Sequence, residues 1–340
     1  MIDLRSDTVT KPTPEMLEFM MKAEVGDDVF ETDPTVNLLQ EKLAKQFGMD
    51  AALYCPSGTM TNQIALRVLT QPQDEVICDQ YAHIYLYEGG GMMSNSMISP
   101  KLLTGDRGRI TAEQLEGLVN PDDVHFPRTT VVALENTMNK GGGAIYELEE
   151  IKQIRSFCDQ HKLSLHLDGA RLFNALTETG ESPLDYGQLF DTISICFSKG
   201  LGAPIGSCLL SSNENIHKAK RVRKVMGGGM RQAGYLAAAC IYALDNHVER
   251  LKEDHLRAQE IGRIFSDLDW VIEVYPVDTN IVIIKLDEAL SEQKVLAKLE
   301  ENEVYGVGFG KGLIRFVTHL EIVDDDIIEL ENLVRKIDIK

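Results

Sequence analysis

The stretches LSLHLDGAR (163–171) and TISICFSKG (192–200) each carry an apolar strand pattern that ends on a chemically distinctive side chain. In the first, Leu163, Leu165 and Leu167 alternate with polar residues, the period-two signature of a strand, and Asp168 stands where the strand gives out. In the second, a short run rich in Ile and Phe delivers Lys199 in a Ser-Lys-Gly turn, 31 residues past the aspartate. Ligands of open α/β sheets bind outside the carboxyl ends of the strands, which is where this pattern puts both residues.

Working outward, TVNLLQEKLAKQFG (35–48) spaces Leu38, Leu39, Leu43 and Phe47 as a helix and closes on Gly48, a helix stop. Further apolar runs lie at 51–55, 75–78, 129–136, 163–168, 192–197 and 206–211, with helical patterns between several of them. Alternation of this kind predicts an α/β fold, a mostly parallel sheet covered by helices on both faces. From Arg231 one long helical pattern leads out of the sheet and bridges to a smaller C-terminal α+β domain. That domain is expected to hold a strand around Ile281, Ile283 and Lys285, a helix at 291–303, a strand at 312–318 and a helix at 324–337. The expected organisation is an N-terminal arm at 1–30, a large domain at 31–250 and a small domain at 251–340, packed closely because no Pro, Gly or Ser-rich linker separates them.

Composition limits the function. At 340 residues the chain exceeds the size at which one core keeps growing, which agrees with a large and a small domain. The net charge of −19, from 53 acids against 34 bases, argues against a sequence-independent grip on nucleic acid or on anionic membranes. KAKRVRK (218–224) is the one dense cationic run, and it reads either as a solvated helix face or as a binding element for an anion. Six cysteines without close-paired ligand spacing fit a reducing cytoplasm. MIDLRSDTVT has no apolar run that would direct export, and no metal-ligand pattern stands out.

Lysine forms a Schiff base with an aldehyde cofactor, and a carboxylate paired to a pyridine nitrogen keeps it protonated, so that the ring accepts carbanion electrons. Lys199 and Asp168 suit those two roles toward pyridoxal 5′-phosphate. PSGTMTNQ (56–63) sets Ser57, Gly58 and Thr59 before a helical run, where free N–H groups and the helix dipole suit a phosphate; the same residues also make an ordinary N-cap. His83, in the aromatic stretch YAHIYLY, reads as a ring that stacks on a flat cofactor or as a half-buried histidine bonded to backbone. His125, in DDVHFPRT, is a weaker candidate of the same kind. Arg171 suits the phenolic oxygen, and Arg231, in GGGMRQAG (227–234) at an expected helix start, a second phosphate contact. Arg315, in the strand LIRFVTH, suits an amino-acid carboxylate, with an edge-strand charge as the alternative. GVGFGKG (306–312) opens a strand and not a helix, and NKGGG (139–143) lacks P-loop spacing, so neither reads as a nucleotide loop.

The motifs IDLRSDTVTKPT, EVGDDV, PSGTMTNQ, HFPRT, ENT-x-N, HLDGARLFNA, FSKGLGAPIGS, GGGMRQAG, LKEDH and IRFVTH, in this order, closely resemble the L-threonine aldolases of low-specificity type, in the pyridoxal-phosphate fold type I, aspartate-aminotransferase-like superfamily. The resemblance implies that Lys199 carries the cofactor, Asp168 holds the pyridine nitrogen, Arg171 neighbours the phenolic oxygen, Gly58 and Thr59 bind phosphate, and His83 stacks on the ring. It further implies His83 and His125 near the substrate β-hydroxyl, and Ser6, Arg171 and Arg315 on its carboxylate. Lys224 and Arg231 would approach from a neighbouring subunit of a homotetramer, a dimer of dimers. The implied reaction cleaves L-threonine or L-allo-threonine to glycine and acetaldehyde; a β-eliminating lyase or an aminotransferase is the alternative on the same scaffold. Three positions depart from the family: Phe30-Glu31 replaces the common Tyr-Gly, and Met138 stands where histidine is common in ENT-x-N.

Overall fold

The computed structural model describes residues 1–337. Seven strands form the central sheet: β1 (Ala51–Cys55), β2 (Asp74–Asp79), β3 (Ser99–Leu103), β4 (Arg128–Glu135), β5 (Ser164–Gly169), β6 (Thr192–Cys196) and β7 (Ser207–Ser211). Their order is β1-β7-β6-β5-β4-β2-β3, and all run parallel except β7, which is antiparallel to both neighbours. Consecutive residues of one strand pack into different cores: Ile77, Val132 and Leu134 into one cluster, Val76, Cys78, Val131 and Ala133 into another. Burial on both faces explains why these strands read as continuous apolar runs.

Helix α1 (Pro34–Phe47) is set by the Asp33 N-cap, which accepts the N–H groups of Thr35 and Val36, and it stops at Gly48, whose φ of 63° suits glycine. Leu39, Leu43 and Phe47 are buried as expected, whereas Leu38 faces outward and Val36 takes the inner position. The expected long helix after Arg231 is two helices, α4 and α5 in chain order after α2 (Gly58–Leu69) and α3 (Asn213–Val225): α4 is Gly234–Asn246 and α5 is Leu251–Ser266. His247 turns the chain there, because its Nδ1 bonds to the Leu201 carbonyl at 2.7 Å and its ring packs edge-on to Tyr242. Arg231 accordingly lies three residues before a helix and not at its start.

A small antiparallel sheet follows, made of β8 (Val271–Val274), β9 (Ile281–Leu286), β10 (Val307–Gly310) and β11 (Leu313–Val317) in the order β10-β11-β9-β8. Three strands had no clear sequence signal. Ser99–Leu103 is a partly exposed edge strand holding Pro100 and Lys101, and β8 and β10 are short and half-exposed. GVGFGKG is a strand followed by a tight turn into β11, and helices at Glu292–Glu301 and Asp324–Val334 complete the small domain. The N-terminal segment joins this domain: Ile2–Asp3 pairs in parallel with Val304–Tyr305, and Ile2 and Leu4 lie in its core.

Candidate active site

Because β1, β2, β4, β5 and β6 are parallel, their carboxyl ends share one edge, where Gly58, His83, Glu135, Asp168 and Lys199 emerge. Asp168 is buried and in register with Glu135 on one side and Ser194 on the other. Its Oδ2 accepts from Asn62 Nδ2 at 2.8 Å and its Oδ1 from the Ala170 N–H at 3.2 Å. Asn62 rides on α2, as does Thr61, whose hydroxyl meets that of Ser194 at 2.6 Å. These bonds fix the start of α2 over the strands that carry Asp168 and Lys199.

Gly58 is required at that start, since a Cβ there would run into Cys196 Sγ. Ser57 caps the helix by accepting the Met60 N–H at 3.2 Å, which leaves the Gly58 and Thr59 N–H groups at the positive end of the helix. The N-cap and anion-binding roles are therefore compatible. Lys199 follows β6 by three residues, half-buried, within electrostatic reach of both Asp7 and Cys196.

Arg171 is buried, and Asp7 engages two of its nitrogens, Nε to Oδ2 and Nη2 to Oδ1, each at 2.7 Å. Ser6 precedes that aspartate and shares its hydroxyl with Thr8 at 2.8 Å. Arg315, half-buried on β11, donates through Nη1 to Asn139 Oδ1 at 2.8 Å and through Nη2 to the Arg5 carbonyl at 3.0 Å. Its Nε is buried without a partner, and burial together with the Arg171 charge pushes its pKa down to about 10. Two guanidinium groups within electrostatic reach of each other, Arg171 and Arg315, suit an incoming carboxylate.

His83 starts a short helix, and its Nδ1 lies 3.0 Å from Glu88 Oε1. Burial works against the histidine cation, but the Glu88 hydrogen bond and the charges of Asp168, Glu135 and Glu88 prevail and hold its pKa above the usual value. Glu88 is itself buried and also accepts from Asn62 Nδ2 at 2.8 Å and Gln63 Nε2 at 2.5 Å. Asn62 Oδ1 lies 3.2 Å from His166 Nε2, where burial pushes the imidazole down to about 4 and so keeps it neutral.

Three expected residues are not brought to this cluster within one chain. His125 is exposed and its Nδ1 pairs with Asp123 at 2.7 Å. Lys224 is exposed at the end of α3, and Arg231 is exposed, paired with Asp27 at 3.0 Å and stacked 5.8 Å from the Phe30 ring centroid. The cationic run is only partly a solvated face, because Arg223 turns inward to the Tyr54 carbonyl and to Asp28. Of the departures from the family, Met138 is fully buried against Gly108, while Glu31 adopts a left-handed φ of 61° where the family commonly has glycine. That conformation costs a non-glycine residue about 1 kcal/mol; the Lys220 partner at 2.6 Å offsets little of it at the surface.

Five contributors went unassigned in the sequence: Asp7, Asn62, Glu88, Glu135 and His166. Four of them sit inside the quoted motifs RSDT, TNQ, ENT and HLDGA, where their position was the available signal. Glu88, in YLYEGGG, meets His83 from five residues away and Asn62 through a tertiary contact.

Asp168 at the edge with its second oxygen steered by Asn62, Lys199 on the next strand but for a turn, the open N–H groups of α2 and the two guanidinium groups fit pyridoxal 5′-phosphate and an amino acid. Comparison with known proteins gives the family. A family model described as beta-eliminating lyase matches residues 3–289. The low specificity L-threonine aldolase of Escherichia coli K12 is 40% identical over 335 residues, 97% of each chain. Low-specificity L-threonine aldolase 1 of Arabidopsis thaliana is 37% identical, covering 96% of this chain and 93% of its own. The solved structure of Leishmania major threonine aldolase superposes with a TM-score of 0.84 at 20% identity over 98% of this chain and 99% of that one, a likeness of fold. Identity of this extent over both full lengths means that the chain belongs to the low-specificity L-threonine aldolase family, within the beta-eliminating lyases.

Proposed function

We propose that this enzyme uses pyridoxal 5′-phosphate to cleave L-threonine, L-allo-threonine and related β-hydroxy-α-amino acids to glycine and acetaldehyde or the corresponding aldehyde. The observation that carries the reading is the meeting at one sheet edge of Asp168, Lys199 and the start of α2, with Arg315 in electrostatic reach of Arg171 and Asp7 beside them. When bound, the cofactor supplies a conjugated ring able to take up the electron pair left on Cα as the Cα–Cβ bond breaks. Lys199 would hold its aldehyde carbon, Asp168 its pyridine nitrogen, and the Gly58 and Thr59 N–H groups its phosphate. Arg171 keeps Nη1 for the phenolic oxygen, since Asp7 takes Nε and Nη2.

The other residues act on the substrate. Arg315, with Ser6 beside Asp7, would hold the carboxylate, and that grip would orient the bonds of Cα for cleavage. His83, with Nδ1 committed to Glu88, has Nε2 to accept the β-hydroxyl proton, directly or through a water. His125 would join it only if an assembly brought its loop to the site.

A homotetramer with sites at subunit interfaces gives Lys224 and Arg231 a role, and the exposed Phe19, Met21 and Phe30 supply apolar surface for such contacts. A cytoplasmic location agrees with six free, buried cysteines, and among the described residues no helix is long and apolar enough to cross a membrane. The test is to incubate the purified, cofactor-loaded protein with all four threonine stereoisomers and follow acetaldehyde and glycine. Release from the two L-isomers is expected and should vanish in Lys199→Ala together with the near-visible absorbance; pyruvate or another keto acid as product would assign a lyase or aminotransferase instead.

A further inference from the structure

Glu135 ends β4 beside Asp168 and is buried, yet the reaction outlined above leaves it without a task. Each of its carboxylate oxygens accepts one backbone N–H from a different loop. Oε2 takes His83 N–H at 2.7 Å, and Oε1 takes Asn139 N–H at 2.9 Å. Asn139 then presents its side-chain oxygen to Arg315 Nη1 at 2.8 Å. One acid thus stands a single hydrogen bond from the segment that bears the histidine and one residue from the group that orients the arginine.

We propose that Glu135 is a positioning residue that sets His83 and Arg315 in a common frame, so that the grip on the substrate carboxylate and the placement of the imidazole depend on one buried carboxylate. The proposal rests on the function given above. A carboxylate suits this task because both of its oxygens accept, whereas an amide offers one acceptor and one donor. Burial and the neighbouring Asp168 push the Glu135 pKa upward, against its two N–H bonds and the His83 charge, so an acid is costly to keep here. The other groups within its electrostatic reach are Arg171, Cys78 on β2 and Tyr146. Retaining an ionisable group at that cost is the mark of a residue that must accept twice.

The test compares the cofactor-loaded parent with Glu135→Gln, Asn139→Ala and the double variant at pH 8, measuring glycine affinity by calorimetry and kcat and KM for threonine. Glu135→Gln must turn its NH2 toward one of the two N–H donors, so glycine affinity or kcat should fall about tenfold. Asn139→Ala should weaken glycine binding while leaving kcat within about threefold, and adding Glu135→Gln to it should weaken glycine binding no further. Unchanged glycine affinity and kcat in a folded Glu135→Gln, or losses of glycine affinity that multiply in the double variant, would overturn the proposal. Glu135→Asp, which keeps the charge but shortens the reach, serves the same comparison if Glu135→Gln does not fold. Acetaldehyde release by the parent decides the functional reading separately, since glycine affinity is read without turnover.

Discussion

Asp7 and Arg171 form a closed bidentate pair, 164 residues apart in sequence, with both hydrogen bonds at 2.7 Å and both side chains buried. Asn280 of the small domain adds a third contact, donating to Asp7 Oδ2 at 3.2 Å. The N-terminal segment is therefore pinned between the two domains at the active-site edge. Its geometry also decides which arginine nitrogen remains for a ligand.

Asp7→Asn leaves the Arg171 cation buried without its counter-charge, and removal of one partner from a buried pair costs about 3–5 kcal/mol. Burial alone would raise the Asp7 pKa, but Arg171, Lys199 and Asn280 outweigh it and hold the carboxyl well below its ordinary 3.8. A folded-state value below the unfolded one gives a stabilisation that is complete above that ordinary value and is lost as pH falls beneath it. Urea unfolding from pH 7 to 2 should show a steep loss below about pH 4 in the parent and a smaller one in Asp7→Asn. Equal acid limbs in the two proteins would show that the pair does not govern this range.

Glu88 gathers His83, Asn62 and Gln63 around one carboxylate, and Asn62 reaches on to Asp168. Replacing it by Gln weakens the hydrogen bond and removes one of the three charges that hold the His83 pKa up against burial. The imidazole should then lose its proton at lower pH than in the parent, and the corresponding limb of the kcat/KM profile should move in the same direction. A raised folded value means that the His83–Glu88 contribution to stability is present below 6.5 and fades as pH rises past it, so Glu88→Gln should destabilise more at pH 6 than at pH 9. Loss of a correctly poised proton acceptor lowers kcat by about 10²-fold or more. A variant with unchanged kcat and an unmoved profile would remove Glu88 from the account.

What could be read in the sequence follows from where the determinants lie. Asp168 and Lys199 sit at the ends of strands buried on both faces, and such strands announce themselves as apolar runs with a polar terminus. Gly48 and Ser57 act within a few residues of themselves, and local chemistry of that kind is legible. The edge strand Ser99–Leu103 was not, because an exposed edge tolerates Pro and Lys and carries no period. The roles of Glu88 and Glu135 are less legible: Glu135 has its place in the ENT motif as a signal, but the partners of both acids come from α2, from the His83 turn and from the Asn139 loop, and linear spacing does not encode those approaches. Arg171 follows the HLDGA turn and is legible from it, but its partner Asp7 can be matched to it only in three dimensions.

Arg315 offers the most direct test of how the substrate is held. Its guanidinium is fixed by Asn139 and the Arg5 carbonyl, lies 5.0 Å from the Phe309 ring centroid, and keeps Nε buried and unpartnered. Arg315→Lys keeps a cation but loses the planar fork, the two fixing bonds and the stacking face. Charge-assisted hydrogen bonds contribute about 1.5–3 kcal/mol, so glycine affinity and KM for threonine should worsen by about 10- to 150-fold while kcat changes less. Calorimetric titration of parent and variant with glycine at one pH reads the effect. Affinity within twofold of the parent in Arg315→Lys would mean that the carboxylate is held elsewhere, with Ser6 as the next group to replace.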